Sequence, residues 1–226
     1  MPLSILASTR SGPPLPILLL GITLSLLSTG CAVFGKSSVE EAPYELVRQD
    51  DRFEIRDYAP VVVAETRVSA SFEEAGGIAF RRLFDYISGE NESRDEIAMT
   101  APVVAESEDD DAGEKIAMTA PVTSERDGES WRYAFVLPSG YSIDTAPRPT
   151  DPEVSLRERA PRRVAAVRYS GRATEDARSE NARALADWID SRGLEAKSDP
   201  RWAGYDAPWT LPPFRRNEVL VDIAGR

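Results

Sequence analysis

The sequence predicts an α+β fold in which two pseudo-symmetric β-β-α-β repeats form a distorted antiparallel β-barrel flanked by two helices. Two internal similarities predict this arrangement: Phe53–Pro60 matches Val154–Pro161, and Leu83–Ile87 matches Leu185–Ile189. A repeat of this size leaves one face of its sheet exposed when it stands alone. We therefore expect the two repeats to pack about a pseudo-twofold axis and to share a core.

A heptapeptide, Ile-Ala-Met-Thr-Ala-Pro-Val, is the third observation, since it occurs twice, at residues 97–103 and 116–122. We interpret the two copies as the arms of a β-hairpin. Between them, Glu106–Glu114 contains six acidic residues and no basic one, which is typical of a solvated hairpin tip. A calcium loop is the alternative, but the glycine and ligand spacing of an EF-hand is missing.

The elements of the first repeat follow from local patterns. Phe53–Tyr58 alternates apolar and polar residues, as a half-buried strand does, and the β-branched stretch Val61–Val68 predicts the next strand. Ser71 followed by Glu74 predicts a helix start, and Ser88-Gly89 predicts its end. One face of this helix is apolar at helical spacing, and its members are Phe72, Ala75, Ala79, Phe80, Leu83, Phe84 and Ile87.

The second repeat follows the same plan. A second helix is predicted to begin after Thr174 and to end before Gly193. Trp131–Leu137 and Glu218–Ile223 have the composition of strands and complete the predicted sheet.

The N-terminal region has the pattern of a lipoprotein signal. Leu15–Leu27 is too short for a membrane span and suits the apolar part of a signal peptide, and small residues precede Cys31. The expected division is a signal peptide over 1–30, a lipidated tether over 31–43 and one domain over 44–226. A retained anchor and an ordinary cleaved signal are the alternatives. We expect the chain to be lipid-anchored in the cell envelope and to face the periplasm. Ala32 after the cysteine favours the outer membrane.

Composition excludes several kinds of function. A formal net charge of −11 argues against binding to nucleic acid, which requires a basic face. The chain has no histidine, so a Ser-His-Asp triad, a Cys-His dyad and an imidazole metal site are impossible. The one cysteine lies at the predicted anchor. These facts predict a non-enzymatic protein without a metal site of its own, and we expect a monomer.

The predicted first helix carries the best candidate for a ligand site. Gly76 and Gly77 lie in its interior, where adjacent glycines indicate that something approaches the backbone closely. The candidates for this close neighbour are a strand, the other helix and a flat ligand. Phe80 and Phe84 lie one turn apart beside Arg81, which suits a planar amphiphile with acidic groups. The alternative is that the phenylalanines belong to the core and the arginine is solvated.

Met99 and Met118 occupy equivalent positions in the two heptapeptides and are the remaining candidates. A thioether can coordinate haem iron, whereas a methionine on an inward strand face is more often part of the core. Both interpretations stay open at this stage.

Several motifs, spread over nearly all of the region after the tether, resemble the SOUL haem-binding family. They are Tyr44-Glu45-Leu46, the doubled Met-Thr-Ala-Pro-Val, Phe135-Val136-Leu137-Pro138-Ser139, Pro149-Thr150-Asp151-Pro152, Ala203-Gly204-Tyr205-Asp206-Ala207-Pro208-Trp209 and Arg215-Arg216-Asn217-Glu218-Val219. The resemblance implies the two-repeat barrel, and a fold relation to effector-binding domains of the gyrase-inhibitor type.

The resemblance also implies haem or another tetrapyrrole as the ligand, held in an apolar groove beside the first helix. It places Phe80 and Phe84 in that groove. Two positions at which relatives offer basic side chains are Gly77 and Asp85 here, which leaves Arg81 or Arg82 as the candidate partner for the propionates. An axial histidine is impossible, which leaves methionine, tyrosine or water for the iron. The alternative is a binding module for another amphiphilic or cationic molecule. Glu218 is the acidic residue that could meet a cation, unless it forms a salt bridge with Arg215 or Arg216.

Overall fold

The computed structural model describes residues 39–93, 113–207 and 209–225. In the first half the elements are β1 (Glu40–Glu41), β2 (Tyr44–Asp50), β3 (Phe53–Tyr58), β4 (Val61–Val68), α1 (Phe72–Ser88), β5 (Asn91–Glu92), β6 (Thr119–Ala120), β7 (Val122–Asp127) and β8 (Ser130–Val136). In the second half they are β9 (Arg148–Pro149), β10 (Val154–Arg159), β11 (Arg162–Ser170), α2 (Glu175–Ser191), β12 (Arg201–Gly204), a 3-10 turn (Pro212–Phe214) and β13 (Arg216–Asp222).

Nine of these strands form one antiparallel sheet in the order β10-β4-β8-β7-β12-β13-β11-β3-β2. The sheet curls into a half-barrel, and the predicted α+β fold is confirmed. The order is symmetric about the β7–β12 contact: β10, β4, β8 and β7 on one side correspond to β3, β11, β13 and β12 on the other. Each repeat therefore gives its first strand to the other half of the sheet. This exchange joins the repeats into one unit.

Both helices lie on the same face of the sheet. Ala75, Ala79 and Leu83 of α1 pack with β4 and β8, whereas Leu185 and Ile189 of α2 pack with β11 and β13. The opposite face of the sheet, inside the curl, carries a third apolar cluster that includes Val63, Val164 and Leu220. Alternation along each strand separates the inner core from the two helix-covered cores.

The two helices begin as the sequence predicts. The Ser71 hydroxyl accepts a hydrogen bond from the backbone N–H of Glu74, and the Thr174 hydroxyl accepts one from Ala177. These bonds satisfy donors that the first turn of a helix otherwise leaves unpaired. Gly89 ends α1 with a φ of 119°, a conformation that favours glycine.

The heptapeptide copies are described only in part. In the second copy, β6 pairs in parallel with β1, and Val122 opens β7. The first copy, most of Glu106–Glu114 and the N-terminal region through Cys31 lie outside the described residues, so the predicted hairpin, signal and tether remain predictions. The first described strand, β1, lies a few residues before the predicted domain boundary at 44. Within the residues that the structure describes, no helix is long and apolar enough to span a membrane.

Candidate ligand-binding site

An exposed apolar face on α1 is the feature that packing does not account for. Gly77, Phe80, Arg81 and Phe84 lie at spacings of three and four residues, so they share one side of the helix, which we call the α1 face. Phe80 is 40% and Phe84 45% exposed. Their rings are stacked, with centroids 5.8 Å apart and an interplanar angle of 13°. Two stacked aromatic rings therefore meet solvent on a helix whose other apolar residues are mostly buried.

The position of the α1 face follows from how the helix packs. Leu83 is fully buried against the sheet. Arg82 reaches the other flank of the helix, where its guanidinium hydrogen-bonds Thr66 on β4 and forms an ion pair with Glu153. Because successive residues are about 100° apart around a helix, Phe80 and Phe84 lie on the flank away from Arg82. There the Phe80 ring contacts the buried ring of Phe135 on β8, with centroids 5.6 Å apart.

The two glycines have different surroundings. A Cβ on Gly76 would lie 3.3 Å from the hydroxyl oxygen of Tyr133 on β8, so for this glycine the close neighbour is the sheet. That was one of the alternatives left open by the sequence. A Cβ on Gly77 would have no heavy atom within 4 Å. Within the described fold, no neighbour is close enough to exclude a larger side chain at Gly77. The backbone at Gly77 is therefore accessible beside Phe80 and Phe84.

Arg81 is exposed and, among the described residues, makes no ion pair. Asp85 lies one turn further along the helix without pairing to it. The α1 face thus combines an aromatic surface with one available guanidinium. This chemistry suits a planar apolar molecule that carries a carboxylate.

Met118 lies in the segment that leads into β6 and is 36% exposed. This segment is fastened to the C-terminal end of α1, since the Ile116 N–H donates to the Ile87 carbonyl over 2.8 Å. Asn91 binds the same region through the carbonyls of Tyr86 and Glu114. Met118 is therefore a partly exposed thioether rather than a core residue. Met99 lies outside the described residues.

Glu218, the candidate for binding a cation, is completely buried and already paired. Its carboxylate accepts hydrogen bonds from both Nη atoms of Arg56, from Arg216 Nε and from the Tyr205 hydroxyl, over 2.6–3.0 Å. The salt bridge with Arg216 is one of the alternatives that the sequence left open, whereas Arg56 on β3 was not foreseen. Arg215 donates to the Thr210 carbonyl instead.

The charges in this network compensate one another. Burial acts to raise the pKa of Glu218, but the hydrogen bond and charge of Arg56 outweigh it, and the pKa lies below its usual value. Burial acts to lower the pKa of Arg56, but Glu218 raises it above its usual value. Both oxygens of the Glu218 carboxylate are already occupied by donors, which leaves no free acceptor on Glu218 for a cationic ligand.

Within the described ranges, no group of three or more histidine, cysteine, aspartate or glutamate side chains is placed to hold a metal ion.

Comparison with known protein families supports the ligand class. The family profile described as SOUL heme-binding protein matches residues 39–222. Heme-binding protein 2 from mouse is 28% identical over 183 residues, which cover 80% of this chain and 82% of the mouse protein. Heme-binding protein 2 from human gives the same identity and coverage.

Comparison with solved structures supports the fold alone. The C-terminal domain of EcmrR superposes with a TM-score of 0.54 at 9% identity, covering 81% of this chain and 99% of that domain. A protein described as a hydrolase from Listeria innocua superposes with a TM-score of 0.51 at 9% identity, covering 79% of this chain and 94% of the other. At this identity the likeness says nothing about the activity of the present chain.

Proposed function

The chain belongs to the SOUL haem-binding protein family, and we propose that it is a lipid-anchored protein of the cell envelope that binds haem on the α1 face without enzymatic turnover. The observation that carries the site is the stacked, half-exposed pair Phe80 and Phe84. Exposed large apolar groups that lie together, rather than singly, mark binding surfaces.

The residues of the α1 face fit a porphyrin in three respects. The apolar macrocycle gains most of its binding free energy by covering aromatic rings, at roughly 25 cal/mol per Å² of apolar area. Arg81 supplies a guanidinium for a propionate. Gly77 leaves the backbone open to a flat molecule. We propose that binding relies on the macrocycle plane, because the chain has no imidazole for the iron. Met118 is the thioether that the described structure leaves partly exposed.

A hemin titration of the full-length chain, followed through the Soret absorption, tests the proposal. We expect a saturable shift, and a binding constant at least about tenfold weaker after Phe80→Ala together with Phe84→Ala. Phe214→Ala is the matched control, since Phe214 is 46% exposed elsewhere on the surface. A double variant that binds hemin as tightly as the parent would place the site elsewhere.

Arg81 is tested against Arg183, which occupies the corresponding exposed position on α2. Arg81→Gln should weaken hemin binding severalfold, and more at low salt than at high salt, because an exposed ion pair is screened. Arg183→Gln should leave it unchanged. Equal effects of the two substitutions would mean that only the overall charge matters.

The anchor and the location rest on the sequence around Cys31. We propose that residues 1–30 are removed, that Cys31 carries the lipid, and that the domain faces the periplasm as a monomer, with the outer membrane favoured. Two or more acyl chains suffice for stable attachment. Mass spectrometry of the N-terminal peptide should show Cys31 as a lipid-modified first residue. A peptide that still joins Cys31 to the preceding residues would instead indicate a retained anchor.

A further inference from the structure

A cleft separate from the α1 face lies between the beginnings of the two helices. Its volume is about 390 Å³, in the range of small-molecule sites. We call it the interhelix cleft. Its lining consists of Ser71, Phe72, Arg126, Trp131, Glu175, Arg178, Ser179 and Trp202. It therefore receives residues from both repeats.

Three aromatic rings and a guanidinium meet in this cleft. The guanidinium carbon of Arg178 lies 3.2 Å from the ring centroid of Phe72, 5.3 Å from that of Trp202 and 5.7 Å from that of Trp131. Arg178 is only 5% exposed. The aromatic faces stabilise its positive charge.

The aromatic contacts do not satisfy the hydrogen-bond donors. Arg178 Nη1 and the indole nitrogens of Trp131 and Trp202 are buried without a hydrogen-bond partner. Buried donors normally find an acceptor, so three in one place indicate a missing one. The three unpartnered atoms belong to residues that line the cleft, and all three are donors.

The residues that line the cleft carry a net positive charge, which also favours a negatively charged acceptor. Among the residues that line the cleft, Arg126 and Arg178 are opposed by Glu175, which lies at the exposed rim, and Glu73 on α1 also acts on Arg178. Burial lowers the pKa of Arg178, and neighbouring groups, Glu175 among them, do not make up for it. The first turns of both 17-residue helices also lie beside the cleft, and the N-terminus of a helix favours negative charge.

We propose that the interhelix cleft binds a small aromatic carboxylate. Its ring would pack against the partly exposed rings of Phe72 and Trp202. Its carboxylate would accept hydrogen bonds from Arg178 Nη1 and the indole N–H groups once these side chains turn toward the cleft. This site is independent of the haem site on α1, because it uses none of the residues of the α1 face.

The four tryptophans of the chain allow a direct test. In ¹H–¹⁵N spectra of the full-length chain, the indole signals of Trp131 and Trp202 should shift with sodium benzoate between about 0.01 and 10 mM. Those of Trp188 and Trp209 should not shift, since neither lines the cleft. Benzamide and benzylamine keep the ring without the carboxylate and should bind at least about tenfold more weakly.

Substitutions of the donor residues test whether these residues bind benzoate or only ordered water. Arg178→Met keeps an apolar stem among the rings and should weaken benzoate binding at least about tenfold, whereas the exposed Arg168→Met should not. If Arg178→Met does not fold, Trp202→Phe removes one donor and should weaken binding severalfold. Absence of shifts at every benzoate concentration, equal binding of benzamide, or unchanged binding by both variants would each overturn the proposal.

Discussion

Helices α1 and α2 occupy equivalent places in the two repeats, yet only one of them presents aromatic rings to solvent. Both have 17 residues and a hydroxyl N-cap. Their buried positions correspond as the sequence repeat predicts, with Leu83 matching Leu185, Tyr86 matching Trp188, and Ile87 matching Ile189. On the outer flank, α1 has Phe80 and Phe84 where α2 has Ala182 and Ala186.

The comparison separates apolar residues that the fold requires from apolar residues that it does not require. The fold needs apolar side chains at the matched buried positions, and α2 shows that it needs only alanine on the flank. A phenylalanine that stays 40–45% exposed contributes less to the free energy of folding than a buried one, because less of its apolar area is removed from water. This difference between the two helices is the basis for the proposal that the α1 face binds the ligand.

The largest effect is expected at the junction of the repeats, on which the comparison depends. Arg56 on β3 and Glu218 on β13 form a buried pair between the first and second repeats. Glu218→Gln should lower the free energy of unfolding by roughly 3–5 kcal/mol, because it removes the buried carboxylate that Arg56 and Arg216 share and leaves Arg56 paired with Glu54 alone. Chemical unfolding should remain a single transition for Trp131 near α1 and Trp188 on α2. Separate transitions would mean that the repeats are independent.

The same pair predicts a pH dependence. The pKa of Glu218 is lowered from an ordinary 4.5 in the folded state. Its contribution to stability is therefore complete above about pH 4.5 and is lost as the pH falls through the folded-state value. Unfolding curves between pH 7 and 3 should show a shallower acid-induced loss of stability for Glu218→Gln than for the parent. An identical loss would show that other carboxylates control acid unfolding.

Truncation of one matched buried leucine on each helix tests whether the two helices contribute equally to stability. Leu83 and Leu185 are both fully buried, so Leu83→Ala and Leu185→Ala should each cost about 2–5 kcal/mol of stability in urea unfolding. Only Leu83→Ala should also affect hemin binding, because it loosens the helix that carries the α1 face. If Leu185→Ala weakens hemin binding as much, the site is not specific to α1.

The smallest effect distinguishes the two glycines. Gly77→Ala should stabilise the fold by up to about 1 kcal/mol, since the new methyl group meets no neighbour and alanine favours the helix. Gly76→Ala should gain less or lose stability, because Tyr133 must shift. If a porphyrin lies over Gly77, Gly77→Ala should weaken hemin binding while it stabilises the protein. Equal stabilities for the two variants would show that Tyr133 does not restrict the side chain at position 76.

Local structure was predictable from the sequence because its signals are local. The capping residues Ser71 and Thr174 and the alternation in Phe53–Tyr58 predict elements that the structure confirms. The exchange of β3 and β10 between the halves was not predictable, since the internal repeat shows which segments are alike and not which strands pair.

The site was predictable only in part. Helical spacing placed Phe80 and Phe84 on one apolar face with Leu83, but spacing alone does not show how wide a stripe the sheet covers. The burial of Arg178 gave no signal either, because a lone arginine in a polar helix is usually solvated. Its burial depends on Phe72, Trp131 and Trp202, which come from three other elements.

Locating the macrocycle tests the central claim most directly. Gallium protoporphyrin IX, a diamagnetic substitute for hemin, produces ring-current shifts in the amide signals of the residues it covers. We expect the largest shifts at Gly77, Phe80, Arg81 and Phe84, and none at Ala182 and Ala186 of α2. Shifts that centre on α2 or on the interhelix cleft, with the α1 face unchanged, would contradict the account.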